Sequence, residues 1–352
     1  MQLTWDFECQ VEYKVEETQK AELLPLDEYD KILISSSSGK DSNACLFHLL
    51  NEGVPKEKLE LHHQCVDGYG EQHVEFMDWP ITESYLTKIG QHFGIRTFFQ
   101  WRAFGFKGEL LRKDSLTKDI YYVNDKGETV HLPTTRGNKS TRLRWPAMGA
   151  DLRTRWCSPY VKIDIFRRMV SHDPRFKGSK DKPVKLLVIT GERRQESANR
   201  AKYAEVEVHP SSSSHRLVHA WRPVIDWKEE NVWDQYEKYR ILPHPAYLLG
   251  WNRTSCFGCI FTTADLWAIM REIAPERFNE LVRMERELNH TIDAKLTLEQ
   301  KANLGSLERL PKDARTSKWV HMALNRQFET ADLIMDKWEL PAGAFRVGGG
   351  PI

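Results

Sequence analysis

Residues 31–50 constrain the fold of this chain more than any other stretch. The apolar run Lys31-Ile32-Leu33-Ile34 passes directly into Ser35-Ser36-Ser37-Ser38-Gly39-Lys40-Asp41-Ser42, then into Asn43-Ala44-Cys45-Leu46-Phe47-His48-Leu49-Leu50. The first segment reads as a buried strand and the last as a helix start. A small, hydroxyl-rich turn between the two leaves backbone N–H groups free at a helix N-terminus, where they can hold an anion. The turn also supplies a lysine and an acidic residue able to meet a metal ion. It is a candidate nucleotide-phosphate site.

The Walker A pattern would place glycine at position 34 and Ser or Thr directly after the lysine. Those positions hold Ile34 and Asp41, so that loop is excluded. Further along, residues 59–66 read as a second strand ending at Asp67-Gly68. Residues 85–93 have helical spacing, 97–101 return to a strand, and 186–190 form a continuous apolar run ending in Gly191. Strands alternating with helices predict an α/β fold with a doubly wound, mostly parallel sheet.

Between residues 102 and 156 the alternation degrades. Residues 121–131 suggest a hairpin around Asn124-Asp125-Lys126-Gly127. After it, Arg136, Lys139, Arg142, Arg144, Arg153 and Arg155 face only Asp151. Thr263-Ala264-Asp265 looks like the start of a long charged helix running to about Asn289. The expected organisation is an N-terminal segment (1–28), an α/β nucleotide-binding unit (29–262) carrying a basic insertion (about 102–156), a helical region (263–340) and a tail (341–352).

With 352 residues, 40% of them hydrophobic, the chain can bury a large core. A net charge of +1 excludes a global polyanion-binding character, so any basic surface is local. No apolar run approaches the ~20 residues that span a bilayer. The mixed, charged residues 1–20 do not read as a secretory leader. A cytoplasmic location and no membrane partner are expected.

The order Ser-x-Ser-x-Gly-Lys-Asp-Ser resembles the pyrophosphate-binding loop of the ATP pyrophosphatase (PP-loop) superfamily. Its nearest form is that of the phosphoadenosine phosphosulfate reductase family, with Ser38 standing where a glycine is usual. Gly191-Glu192-Arg193-Arg194-Gln195-Glu196-Ser197-Ala198-Asn199-Arg200 follows a strand and is similar to that family's second nucleotide-binding segment. Trp221-Arg222-Pro223-Val224-Ile225-Asp226-Trp227 resembles a third. From the residues alone, Asp226 reads as a helix N-cap and the tryptophans as packing groups.

Six cysteines in a chain this long do not suggest a disulfide scaffold. Cys9, Cys45 and Cys65 read as ordinary buried thiols. Cys157 lies in Arg155-Trp156-Cys157-Ser158-Pro159-Tyr160-Val161-Lys162, similar to the family's Arg-x-Cys-Thr-x-x-x-Lys, and Cys256 and Cys259 form a Cys-x-x-Cys. Three thiolates can serve a [4Fe–4S] cluster with one iron left open, or a zinc ion completed by a residue such as His244. A dithiol redox pair or three plain thiols are the other readings.

The resemblance implies an enzyme that binds ATP with Mg2+ and cleaves it at the α-phosphate. Ser35, Ser37, Ser38, Gly39, Ser42, Asp67, Gly191 and Arg200 would bind the nucleotide, with Lys40, Asp41, Arg193 and Arg194 in catalytic roles. Similarity to the ATP-pyrophosphatase components of DNA phosphorothioation systems and to tRNA-thiolating enzymes implies sulfur transfer to a nucleic acid. A sulfur donor such as a cysteine desulfurase would then be a partner. Two rivals stand: a sulfonucleotide reductase, and a nucleotide-binding regulatory protein without turnover. No cysteine follows Cys259, so the C-terminal reactive cysteine of the assimilatory reductases has no counterpart.

Overall fold

A computed structural model describes residues 19–149, 151–254 and 256–346. Most of the expected N-terminal segment, Cys9 and the last residues of the tail lie outside them. Eight strands form one sheet: β1 (Lys31–Ser35), β2 (Leu59–Cys65), β3 (Arg96–Arg102), β4 (Ile120–Val123), β5 (Thr129–Leu132), β6 (Val184–Ile189), β7 (Val206–Val208) and β8 (Arg216–Trp221), in the order β5-β4-β3-β2-β1-β6-β8-β7. The central run β3-β2-β1-β6-β8 is parallel. Antiparallel strands close both edges. This is the mostly parallel α/β sheet that the alternation predicts.

The middle strands are buried because helices cover both faces, which is why β1 and β6 read as unbroken apolar runs. Ile32, Leu33, Ile34, Leu186, Leu187 and Ile189 have no exposed surface. The helices are α1 (Lys40–Asn51), α2 (Thr82–Phe93), α3 (Gly105–Leu110), α4 (Asp164–His172), α5 (Glu229–Tyr239), α6 (Pro245–Leu248), α7 (Ala264–Ile273), α8 (Pro275–Leu288), α9 (Leu298–Asn303) and α10 (Thr316–Leu324). Side chains of α7 to α10 join the same hydrophobic cluster as the strands.

Two local expectations change. The single long helix after Thr263 is two, because Pro275 has no N–H to continue α7 and instead opens α8. Asp226 does not cap α5. That helix starts at Glu229, and the Lys228 N–H donates to Asn231 Oδ1 at 3.0 Å. The hairpin expected in the insertion forms β4 and β5 and extends the sheet beyond β3.

Within the insertion the arginines divide. Arg142 turns inward, donating to Glu109 Oε1 at 2.8 Å and lying 4.9 Å from the Trp156 ring centroid and 4.7 Å from that of Tyr160. Glu109 has no exposed surface. Arg142 therefore neutralises a buried carboxylate, while Arg136, Lys139 and Arg144 face solvent.

Candidate functional site at the switch point

In an open α/β sheet, ligands bind beyond the carboxyl ends of the strands, where the strand order reverses. Here the reversal falls between β1 and β6, and a cavity of about 400 Å³ opens there. That is within the ~300–1,000 Å³ usual for small-molecule sites. Its walls bring together Ser35, Ser37, Gly39, Asp41, Ser42, Gly191, Arg200 and Cys256, residues drawn from three separate motifs.

The loop after β1 has the strained shape its sequence implies. Ser38 adopts φ 61°, in the left-handed region that a glycine fills without cost. Its hydroxyl donates to the Thr82 carbonyl at 3.3 Å and its N–H to Ser36 Oγ at 3.2 Å, so this serine supports the loop from within and has no exposed surface. Gly39 needs its missing side chain for space, because a Cβ would lie 2.6 Å from Thr254 Oγ1. The Lys40 N–H donates to the Tyr247 hydroxyl at 2.9 Å, and the remaining first-turn N–H groups of α1 have no acceptor within the helix.

Gly191 fixes the other wall. A Cβ there would meet the Asp41 carbonyl carbon at 2.8 Å and the Ser42 nitrogen at 2.9 Å. The segment after β6 thus rests directly on the N-terminus of α1, and only glycine permits that approach.

The four expected catalytic residues occupy different places. Asp41 reaches the cavity and accepts from Arg193 Nε at 2.6 Å. Lys40 Nζ lies 3.4 Å from Asp41 Oδ2 and donates to the Asn252 carbonyl at 3.1 Å, beneath the loop. Burial opposes charge on Asp41, but Lys40 and Arg193 outweigh it and hold the carboxyl below its ordinary value. The same holds in reverse for Lys40, where burial works downward while Asp41, Tyr247 and Glu229 keep its pKa raised. Arg193 stands behind Asp41, while Arg194 points away to pair with Asp226 on the surface. Arg200 lines the cavity, bonded to Glu196.

Asp67 is not among the cavity-lining residues. Its carboxylate accepts the N–H groups of Phe76 (2.7 Å), Met77 (2.8 and 2.9 Å) and Asp78 (2.9 Å), folding the connection between β2 and α2. Burial and the neighbouring Asp78 push Asp67 up to about 6 against those donors. The folded connection presents the Met77 carbonyl to the Gly258 N–H at 3.0 Å and stacks Trp79 on Phe257 with centroids 4.0 Å apart. Asp67 therefore positions the Cys256-x-x-Cys259 loop.

Cys157, Cys256 and Cys259 interact electrostatically with one another and with Lys162, a half-buried lysine that also interacts with Asp78. Burial pushes Cys157 up to about 11, with Cys259 adding to it and Lys162 opposing. Among the described residues, these three do not form a set whose ligand atoms all lie within 4.8 Å, so one ion shared by all three is not preformed. A cluster sets a looser requirement, because each thiolate takes a different iron. His244 does not complete the set. It is fully buried, accepts from the Ala246 N–H at 3.2 Å and lies 3.4 Å from Thr82 Oγ1.

Several cavity residues had no assigned role in the sequence. Lys162 sat inside a quoted motif, Arg253 and Thr254 lie just before the Cys256-x-x-Cys259 pair, Asp78 comes from the connection after β2, and His63 from β2 itself. Arg253 Nε is buried without a partner, a donor left available on the cavity wall.

The fold and cavity define a mostly parallel α/β protein with a candidate ligand site at its switch point. Residues 160–264, under a third of the chain, match the phosphoadenosine phosphosulfate reductase domain family. The match takes in Lys162, Gly191 to Arg200, Cys256 and Cys259. An uncharacterized 37.8 kDa protein in the gpa 5' region of Escherichia phage 186 is 23% identical over 263 residues, 72% of this chain and 74% of its own. Two structures of Candida glabrata FMN adenylyltransferase, one with FMN and an ATP analogue, align at a TM-score of 0.34 with 11% and 9% identity. They cover 64% and 65% of this chain, which spans 53% and 56% of theirs. No helix among the described residues is long and apolar enough to cross a membrane.

Proposed function

We propose that the chain is a PP-loop enzyme that binds ATP in the switch-point cavity and cleaves it at the α-phosphate. One observation carries this reading: the loop after β1, the Gly191 segment, Arg200 and Cys256 line a single cavity. The loop hydroxyls and the free N–H groups of α1 would hold the pyrophosphate portion, with Arg200, Arg253 and Lys162 supplying positive charge. Asp41, held ionised by Arg193 and Lys40, is the residue that would meet Mg2+. An acceptor oxygen would attack the α-phosphorus, the bridging bond to the β-phosphate would break, and pyrophosphate would leave. Catalysis of this kind is chiefly positioning and electrostatic stabilisation.

Cys256 on the wall of that cavity favours sulfur chemistry at the activated acceptor. Cys157, Cys256 and Cys259 are the residues that would hold a [4Fe–4S] cluster, which would carry the sulfur. The exposed Arg136, Lys139 and Arg144 suit a nucleic-acid acceptor, whose phosphates they would track. A second reading, sulfonucleotide reduction, is favoured by the family match itself. Chromatography of products from ATP labelled at the α-phosphate, with tRNA or DNA as acceptor, separates them. AMP-linked product and pyrophosphate support adenylation. Sulfite released from a sulfonucleotide, with ATP untouched, supports the reductase.

A further inference from the structure

On β2, alternate residues share a face, so His63 and Cys65 project to the same side. The first turn of α2 brings Glu83 to that side. One ligand atom from each of His63, Cys65 and Glu83 lies within 4.8 Å of the other two. Cys65 has no exposed surface and His63 only 3%.

The histidine is oriented as a ligand would be. Its Nδ1 is 2.8 Å from the Ser36 carbonyl oxygen, which can only accept, so Nδ1 carries the proton and Nε2 the lone pair. Nε2 is buried and has no partner. A backbone carbonyl that fixes the tautomer in this way is the usual support of a metal-bound imidazole.

The positive charges nearby, Lys162 acting on His63 and Arg326 on Glu83, do not hold that carboxyl ionised. Burial, with Asp78 and Asp67 nearby, pushes the Glu83 carboxyl up to about 8. A divalent ion would supply the missing charge and ionise the Cys65 thiol. One nitrogen, one sulfur and one carboxylate oxygen suit a tetrahedral ion of the zinc class, with the fourth position left to water.

We propose that His63, Cys65 and Glu83 form a binding site for one divalent transition-metal ion, separate from Cys157, Cys256 and Cys259. Through the bond from His63 to the Ser36 carbonyl, the ion would brace the end of β1 where the candidate phosphate loop begins. The site stands independently of the activity proposed above.

The test uses the full chain carrying Cys256→Ser/Cys259→Ser, stripped of metal by chelation and titrated with Co2+. The expected result is one Co2+ per chain with a thiolate-to-cobalt charge-transfer absorption, displaced by Zn2+. Adding Cys65→Ser abolishes that absorption. Adding Glu83→Gln, a near-isosteric change suited to a fold that rejects the serine, weakens Co2+ binding by at least about tenfold. Absence of the absorption in the Cys256→Ser/Cys259→Ser chain, or its persistence at unchanged affinity in Glu83→Gln, overturns the proposal.

Discussion

Arg193 donates to Asp41 across the switch point, Nε to Oδ1 at 2.6 Å, tying the segment after β6 to the first turn of the helix after β1. The Arg193 side chain is 3% exposed, so Asp41 is its main neutralising partner as well as a wall of the cavity. Replacing Asp41 by Asn removes the charge and keeps the shape. Pyrophosphate formation should fall by at least about a hundredfold. Stability should fall by about 3 kcal/mol, since one partner of a buried pair is left uncompensated. Steady-state pyrophosphate release and denaturant unfolding measure the two effects.

Arg194→Ala provides the contrast. Its guanidinium pairs with Asp226 at the surface and lies off the cavity. Turnover should stay within about twofold, because an exposed ion pair contributes at most ~1 kcal/mol. A large loss of turnover in this variant would show that the segment rearranges around its ligand.

Gly191→Ala should weaken nucleotide binding while leaving most of the fold intact. The new Cβ falls 2.8 Å from backbone of Asp41, which cannot rotate away as a side chain would. Overpacking of this kind costs about 1–3 kcal/mol. Calorimetric titration with an ATP analogue should show the loss, with circular dichroism unchanged in shape.

The insertion should separate into structural and binding arginines. Arg142→Ala exposes the buried Glu109 and should cost about 2–3 kcal/mol, reduced from a full broken pair because Arg112 lies 3.1 Å from the same carboxylate. Arg144→Ala should leave stability unchanged and, with a nucleic-acid acceptor, lower the salt slope of binding by about 1. Melting curves and binding isotherms at several salt concentrations distinguish them.

Stability should decline in two stages on acidification. Burial depresses His244 to about 3 and His209 to about 4 from 6.5, so the folded state resists their protonation. Their contribution is complete above about 6.5 and is lost as pH falls towards those values. Glu60 is held near 2 rather than 4.5, because His62, Arg175 and Lys31 outweigh the cost of burial. Its contribution is complete above about 4.5 and fades towards pH 2. Melting temperature against pH should show the first decline in both chains and a weaker second decline in Glu60→Gln.

The central sheet was legible in the sequence because the middles of β1 and β6 are buried on both faces and therefore apolar. The candidate phosphate loop was legible because a strand, small hydroxyl residues and a helix start follow one another without a gap. What escaped notice depends on contacts distant in sequence. Asp67 looked like a ligand-facing residue at a strand end, yet three N–H groups from residues 76–78 turn it into a scaffold. Arg142 looked like one more member of the basic insertion, and only the fold brings Glu109 against it. His63, Cys65 and Glu83 carry no motif, since a strand and a helix must pair before the three converge.

A crystal structure of the chain with an ATP analogue that resists α,β-cleavage tests the central claim most directly. The account predicts polyphosphate seated on Ser35 to Ser42 and the first turn of α1, with the α-phosphate facing Cys256. Polyphosphate held elsewhere, or an α-phosphate turned away from the cysteine, would contradict it.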